Sequence, residues 1–219
     1  MNNKKREEIY GVFAKQHPNP KTELIYNSSF ELLIAVILSA QTTDVAVNKV
    51  TIKLFKKNKT PDDFIKLGEK KLQEQIKTIG LFRNKAKNIV STCKILKNEH
   101  KSEVPKNRAL LQKLPGVGRK TANVVLNTYF GWDLIAVDTH VFRVANRTKL
   151  ASGSSVDAVE KKLEKNTPKI FKRNAHHWLI LHGRYICKAR KPVCSNCSIY
   201  ELCEYKEKYL QISKKIRTF

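Results

Sequence analysis

The stretch Leu114-Pro115-Gly116-Val117-Gly118-Arg119-Lys120-Thr121-Ala122 constrains this chain more tightly than any other. Apolar residues recur at helical spacing on both sides of it, so its proline and two glycines form the turn of a helical hairpin. The first arm covers Arg108 to Lys113, and the second runs from Arg119 to Phe130, where Gly131 ends it. Pro115 can set φ at the turn's entry, while Gly116 and Gly118 can take positive φ and leave no Cβ in a ligand's way. Successive N–H groups then face outward at the positive end of a helix dipole. That is an anion site, most naturally for a phosphate. On the second arm Lys120, Asn123 and Asn127 share a polar wedge opposite Ala122, Val125, Leu126 and Tyr129. Lys120 has two readings here: one more phosphate contact, or a side chain that reaches past the phosphate.

The rest of the chain also reads as helices. Lys4 to Gln16 is amphipathic through Ile9, Val12 and Phe13, and is stopped by Pro18 and Pro20. Ser28-x-x-Glu31 is a capping-box pattern opening an apolar helix through Ala40. Gln41-Thr42-Thr43-Asp44 is a polar break, with Asp44 placed to cap the next helix. Thr60-Pro61 starts another helix, which Gly68 closes. Ile79-Gly80-Leu81-Phe82 reads as a loop with exposed apolar side chains. Ala86, Ile89, Val90, Cys93 and Leu96 then mark one face of a long helix, with Cys93 as core. Asp138 follows Ile135-Ala136-Val137 and is placed to cap a helix through Val141, Val144 and Ala145. No run keeps a strand's alternation over useful length, so the fold class is all-α. No internal repeat or low-complexity linker divides it.

Charge narrows the partner. The chain carries 43 Lys+Arg against 19 Asp+Glu, a net charge of +24, which favours DNA or RNA ahead of an acidic membrane. Met1-Asn2-Asn3-Lys4-Lys5-Arg6 runs into charge rather than a secretory signal. Leu32 to Leu38 falls far short of the ~20 residues that span a bilayer. Five cysteines without such a signal read as thiols or metal ligands in a reducing, cytoplasmic compartment. Cys187, Cys194, Cys197 and Cys203 follow C-x6-C-x2-C-x5-C and can wrap one compact metal centre. Zinc is commonly held by two short-spaced pairs, and only one exists here. A cubane iron–sulfur cluster accommodates uneven spacing. Cluster, zinc and unrelated thiols all stay open on spacing alone. Lys188, Arg190 and Lys191 lie within the first inter-cysteine loop, so closing it on a metal would present three cations to phosphate; the alternative is a solvated loop.

Together these pieces resemble the endonuclease III family, the bifunctional DNA glycosylase/AP lyases of base-excision repair. The carriers are Leu114 to Ala122, Val137-Asp138-Thr139-His140, Leu38-Ser39-Ala40-Gln41, His176 to Arg184, and the four cysteines. The resemblance covers nearly the whole chain in the family's order. It departs at Thr42, where the family typically has Ala. It implies a two-lobed helix-hairpin-helix DNA glycosylase fold with a C-terminal iron–sulfur cluster loop, DNA lying across the cleft between the lobes. Residues 22–132 would form a central lobe holding the hairpin at about 108–130. Residues 1–21 plus 133–219 would form the second, with a [4Fe-4S] loop at 187–203.

The resemblance also implies roles. Lys120 and Asp138 match the catalytic pair, and the four cysteines match the cluster ligands. Gln41 and Leu81 match residues that enter the duplex where the damaged nucleotide has left it. Gly116, Val117 and Gly118, with Lys188, Arg190 and Lys191, are expected on the phosphates of double-stranded DNA. The expected activity is removal of oxidised or ring-saturated pyrimidines, followed by β-elimination at the abasic site through a lysine Schiff base. The expected protein is a cytoplasmic monomer, nucleoid-associated in a bacterium. Two alternatives compete: a non-catalytic helix-hairpin-helix DNA-binding iron–sulfur protein, and an iron–sulfur electron carrier.

Overall fold

Short polar side chains punctuate the chain and start most of its helices. The computed structural model describes residues 1–208. In chain order the helices are α1 (Asn3–Gln16), α2 (Ser29–Ser39), α3 (Asp44–Lys57), α4 (Pro61–Gln75), α5 (Phe82–Glu99), α6 (Arg108–Gln112), α7 (Arg119–Thr128), α8 (Thr139–Thr148), α9 (Val156–Asn166) and α10 (Lys172–Tyr185). Asn2, Ser28, Thr43, Thr60, Asn107, Asp138 and Ser155 each accept a hydrogen bond from the backbone N–H three residues on. Such a cap satisfies an otherwise orphaned donor and contributes about 1 kcal/mol. No strand occurs among the described residues, and no helix there is long and apolar enough to cross a membrane.

The chain divides into two compact units, Thr22–Trp132 on one side and Met1–Lys21 with the chain from Asp133 onward on the other. In the first, α2 is apolar all round and buried from Phe30 to Leu38. A helix of that kind needs neighbours on every face, and α3, α5 and α7 supply them. α4 runs along α5. Gly68, at φ 73° and ψ 165°, breaks α4 into two helical pieces, so the expected stop at this glycine is a kink. In the second unit Ile9, Tyr10 and Phe13 of α1 pack with Val141, Val144, Val159, Leu163, Trp178 and Leu179. α8 and α10 pack closely here: a Cβ on Gly183 would lie 2.8 Å from His140 Cβ.

Several local expectations are corrected. Thr43, not Asp44, caps α3, and Asp44 is its first residue. Of the hairpin glycines only Gly116 takes positive φ, while Gly118 is extended at φ −82°. Ile79 is buried and Leu81 is exposed, so the loop before α5 shows one apolar side chain of this pair. Asn123 and Asn127 are buried whereas Tyr129 is exposed. The polar wedge of α7 therefore meets solvent only at Lys120.

Candidate functional site

The hairpin turn is held from below by α5. Gly116 has φ 79°, and a Cβ there would press to 3.1 Å from the Asn88 side chain. Thr92 Oγ1 donates to Pro115 O at 2.9 Å, and Val117 N donates to Leu114 O at 3.0 Å. The Val117 side chain is buried and its N–H is taken up by Leu114 O, so this residue holds the turn together. Gly118 is the N-cap of α7 and no side chain caps that helix. A Cβ on Gly118 would meet nothing within 4 Å, so a ligand can come close to the backbone here. Lys120 stands exposed in the first turn.

Gln41 and Leu81 occupy neighbouring loops of the same unit, both exposed. Both have left-handed backbones, at φ 55° and φ 60°. For residues with a Cβ that conformation costs about 1–2 kcal/mol, so the surroundings must impose it. The loops adjoin: a Cβ on Gly80 would lie 3.8 Å from Gln41 O. Sequence reading does not single out the residue joining them, Lys85, whose ammonium bonds the Leu38 and Ala40 carbonyls. Its signal was a lysine on the apolar stripe of α5, in line with Ile89 and Leu96.

In the other unit Asp138 is half-buried at the N-cap of α8, its Oδ1 accepting from Val141 N at 2.7 Å. One and two turns on, α8 carries two arginines that grip the cysteine loop. Arg143 donates to Cys187 O at 2.9 Å and to Gly183 O at 2.8 Å. Arg147 donates to Lys188 O at 2.7 Å and Ala189 O at 3.0 Å, and its Nη1 lies 3.7 Å from Cys187 Sγ. Its guanidinium also stands over the Tyr205 ring. Lys208 Nζ donates to Tyr200 O and Cys203 O, both at 2.7 Å. The sequence does not single out these cations either, although Arg143 and Arg147 stand four residues apart on one helix face. Lys188, Arg190 and Lys191 are exposed on the loop they hold.

The four cysteine thiols feel one another. Burial raises the pKa of Cys194, and the charges of Cys187 and Cys203 raise it further. Burial likewise pushes Cys197 up to about 11, with Cys203, Cys194 and Cys187 adding to it. Yet among the described residues no three His, Cys, Asp or Glu side chains stand close enough to share a single ion. A zinc site needs four sulfurs at about 2.3 Å from one metal. A cubane binds each thiolate through its own iron, and four free thiols along one loop supply that donor set.

The comparisons with known proteins agree with this geometry. Residues 34–169 match the HhH-GPD superfamily of base excision DNA repair proteins, and residues 187–203 match the iron-sulfur binding domain of endonuclease III. Fold and sequence together define a helix-hairpin-helix DNA glycosylase. Endonuclease III of Escherichia coli (strain K12) is 59% identical over 208 residues, covering 95% of this chain and 99% of that protein. Endonuclease III of Haemophilus influenzae is 61% identical over 208 residues, with the same coverage. Among solved structures, a trapped endonuclease III–DNA covalent intermediate in an estranged-adenine complex superposes with TM-score 0.89 at 46% identity, covering 96% of this chain and 99% of that one. A non-covalent endonuclease III–DNA complex gives 0.90 at 46% identity with the same coverage. The chain belongs to the endonuclease III family. It is a DNA-binding glycosylase and AP lyase of base-excision repair, and it carries a [4Fe-4S] cluster. The non-catalytic reading of the hairpin is not favoured.

Proposed function

We propose that this enzyme removes oxidised or ring-saturated pyrimidines from duplex DNA and cuts the strand at the abasic site, with Lys120 as nucleophile. The observation that carries the assignment is an exposed lysine in the first turn of an uncapped helix, directly after a turn open to close approach. A phosphate bound by the backbone of Gly116 and Gly118, with Val117 bracing the turn between them, places the neighbouring sugar within the reach of that side chain.

A base inside the stack cannot be attacked, so the nucleotide is flipped out at a cost of a few kcal/mol. Leu81 fills the gap and Gln41 hydrogen-bonds the orphaned base. The neutral Lys120 amine attacks C1′; the Nζ–C1′ bond forms as the glycosidic bond breaks and the base departs. Asp138 accepts the amine's proton and balances positive charge developing on the sugar. The sugar ring opens to a Schiff base, loss of the C2′ proton expels the 3′ phosphate, and hydrolysis of the imine frees Lys120. Cys187, Cys194, Cys197 and Cys203 hold the [4Fe-4S] cluster, which supplies a rigid cross-link closing the loop. Lys188, Arg190 and Lys191 on that loop bind phosphates. The enzyme works as a monomer in the cytoplasm, on the nucleoid of a bacterial cell.

Borohydride tests the central step, because it reduces only a Schiff base to a stable adduct. A duplex with a single thymine glycol is expected to be trapped by the native chain at residue 120, as read by mass spectrometry. Lys120→Gln is expected to form no adduct while keeping duplex affinity within about threefold, since many other Lys and Arg side chains remain. An adduct on another residue overturns the assignment. Asp138→Asn, which retains a good N-cap, is expected to lose about 100-fold or more in turnover with affinity preserved.

A further inference from the structure

Lys85 is a buried cation that the chemistry above does not use. It stands in the first turn of α5, only 5% exposed. Its backbone N–H donates to Leu81 O at 3.0 Å. Its ammonium donates to Leu38 O at 2.9 Å, to Ala40 O at 2.6 Å and to Thr42 Oγ1 at 3.1 Å. A cation in a helix's first turn meets the positive end of the dipole, and burial lowers the pKa of this one. Both effects oppose a charge at this place. Compensation comes from the far end of the side chain. Leu38 O and Ala40 O are carbonyls of the closing turn of α2, which have no partner inside that helix and carry its negative end.

We propose that Lys85 is a positioning residue for both side chains that enter the duplex. Its main chain closes the α5 turn on Leu81, and its ammonium clamps the residues on either side of Gln41. The two left-handed residues are therefore fixed relative to each other by one residue, which is what a strained backbone requires of its surroundings. Thr42 gains a place in the same device. Its hydroxyl is the third acceptor, so the departure from the family's Ala stiffens the loop beside Gln41. The inference rests on the reading of Gln41 and Leu81 given above, and it assigns the rigidity of that pair to a residue that touches no DNA.

The test is single-turnover base release from four duplexes that carry one lesion opposite each of the four bases, alongside cleavage of a single-stranded abasic oligonucleotide. Lys85→Met keeps the aliphatic stem and removes the donors. It is expected to slow release from duplexes about tenfold and to level the preference among opposite bases, while single-stranded cleavage falls less than about threefold. Thr42→Ala is expected to show the same pattern more weakly, and Lys85→Arg to restore part of the preference. Lys85→Met added to Gln41→Ala is expected to change opposite-base preference no further, as two residues acting through one contact do. Equal losses on duplex and single strand, or an unchanged preference, would reduce Lys85 to a cap on α2 and overturn the proposal. If Gln41→Ala and Leu81→Ala themselves leave duplex rates and preference intact, the reading of those two residues falls instead.

Discussion

The hairpin turn at Pro115–Gly118 and the loop from Cys187 to Cys203 are the two surfaces proposed above for phosphate, and they are built by opposite means. The turn is made of backbone. Gly118 leaves the backbone open to close approach, and neutral side chains of α5, Asn88 and Thr92, support the turn from behind. The loop contains one short 3₁₀ turn, Cys194–Asn196, and little else that is regular. Arg143, Arg147 and Lys208 satisfy its carbonyls at Cys187, Lys188, Ala189, Tyr200 and Cys203. The contrast teaches that a surface can be written into local sequence, or imposed on an irregular segment by distant cations and a cofactor. The first kind should survive loss of the cofactor; the second should not.

Cys197→Ser should have the largest effect. The cluster's visible absorbance should disappear and duplex affinity should fall about tenfold or more, as several phosphate contacts go. The hairpin should keep its place. Full duplex affinity in a cluster-free chain would break the comparison. Arg147→Met comes next. It removes charged donors from two carbonyls and one thiolate and should cost about 2 kcal/mol in unfolding experiments, with faster loss of cluster absorbance in denaturant. Gly116→Ala should cost about 1–2 kcal/mol, because an L side chain at φ 79° is strained and its Cβ meets Asn88. Cluster absorbance per chain should not change in this variant. Gly118→Ala is the smallest in stability, within about 0.5 kcal/mol, since its φ is ordinary and the site is open. Its duplex affinity should nevertheless fall several-fold as the new methyl meets the phosphate, and unchanged affinity would remove this turn from the interface.

Much of this was legible in sequence because it is local. The hairpin shows as proline and glycine between helical runs, and Asp138 as a short polar residue directly before an apolar period. What escaped was the destination of long side chains. Lys85 reaches 47 residues back to Leu38 and Arg147 reaches 41 forward to Lys188, and helical spacing states only which face each leaves. The buried polar wedge escaped for a related reason. Periodicity sorts Asn123 and Asn127 from the apolar side of α7, yet it does not say whether the polar side meets water. Glycine identity likewise permits positive φ at Gly118 without requiring it.

One feature of the fold bears on how the chain is made. α1 is completed by residues synthesised far later: the Trp178 indole donates to His17 O across 161 positions, and Ile9, Tyr10 and Phe13 bury against helices that follow Asp133. The unit spanning Thr22–Trp132 is contiguous and can close while the ribosome is still working. At about 5–20 residues per second, the opening helix waits roughly 10–30 s before its partners emerge. During that interval its apolar stripe is open to chaperones, and a segment made before the Thr22–Trp132 unit settles after it.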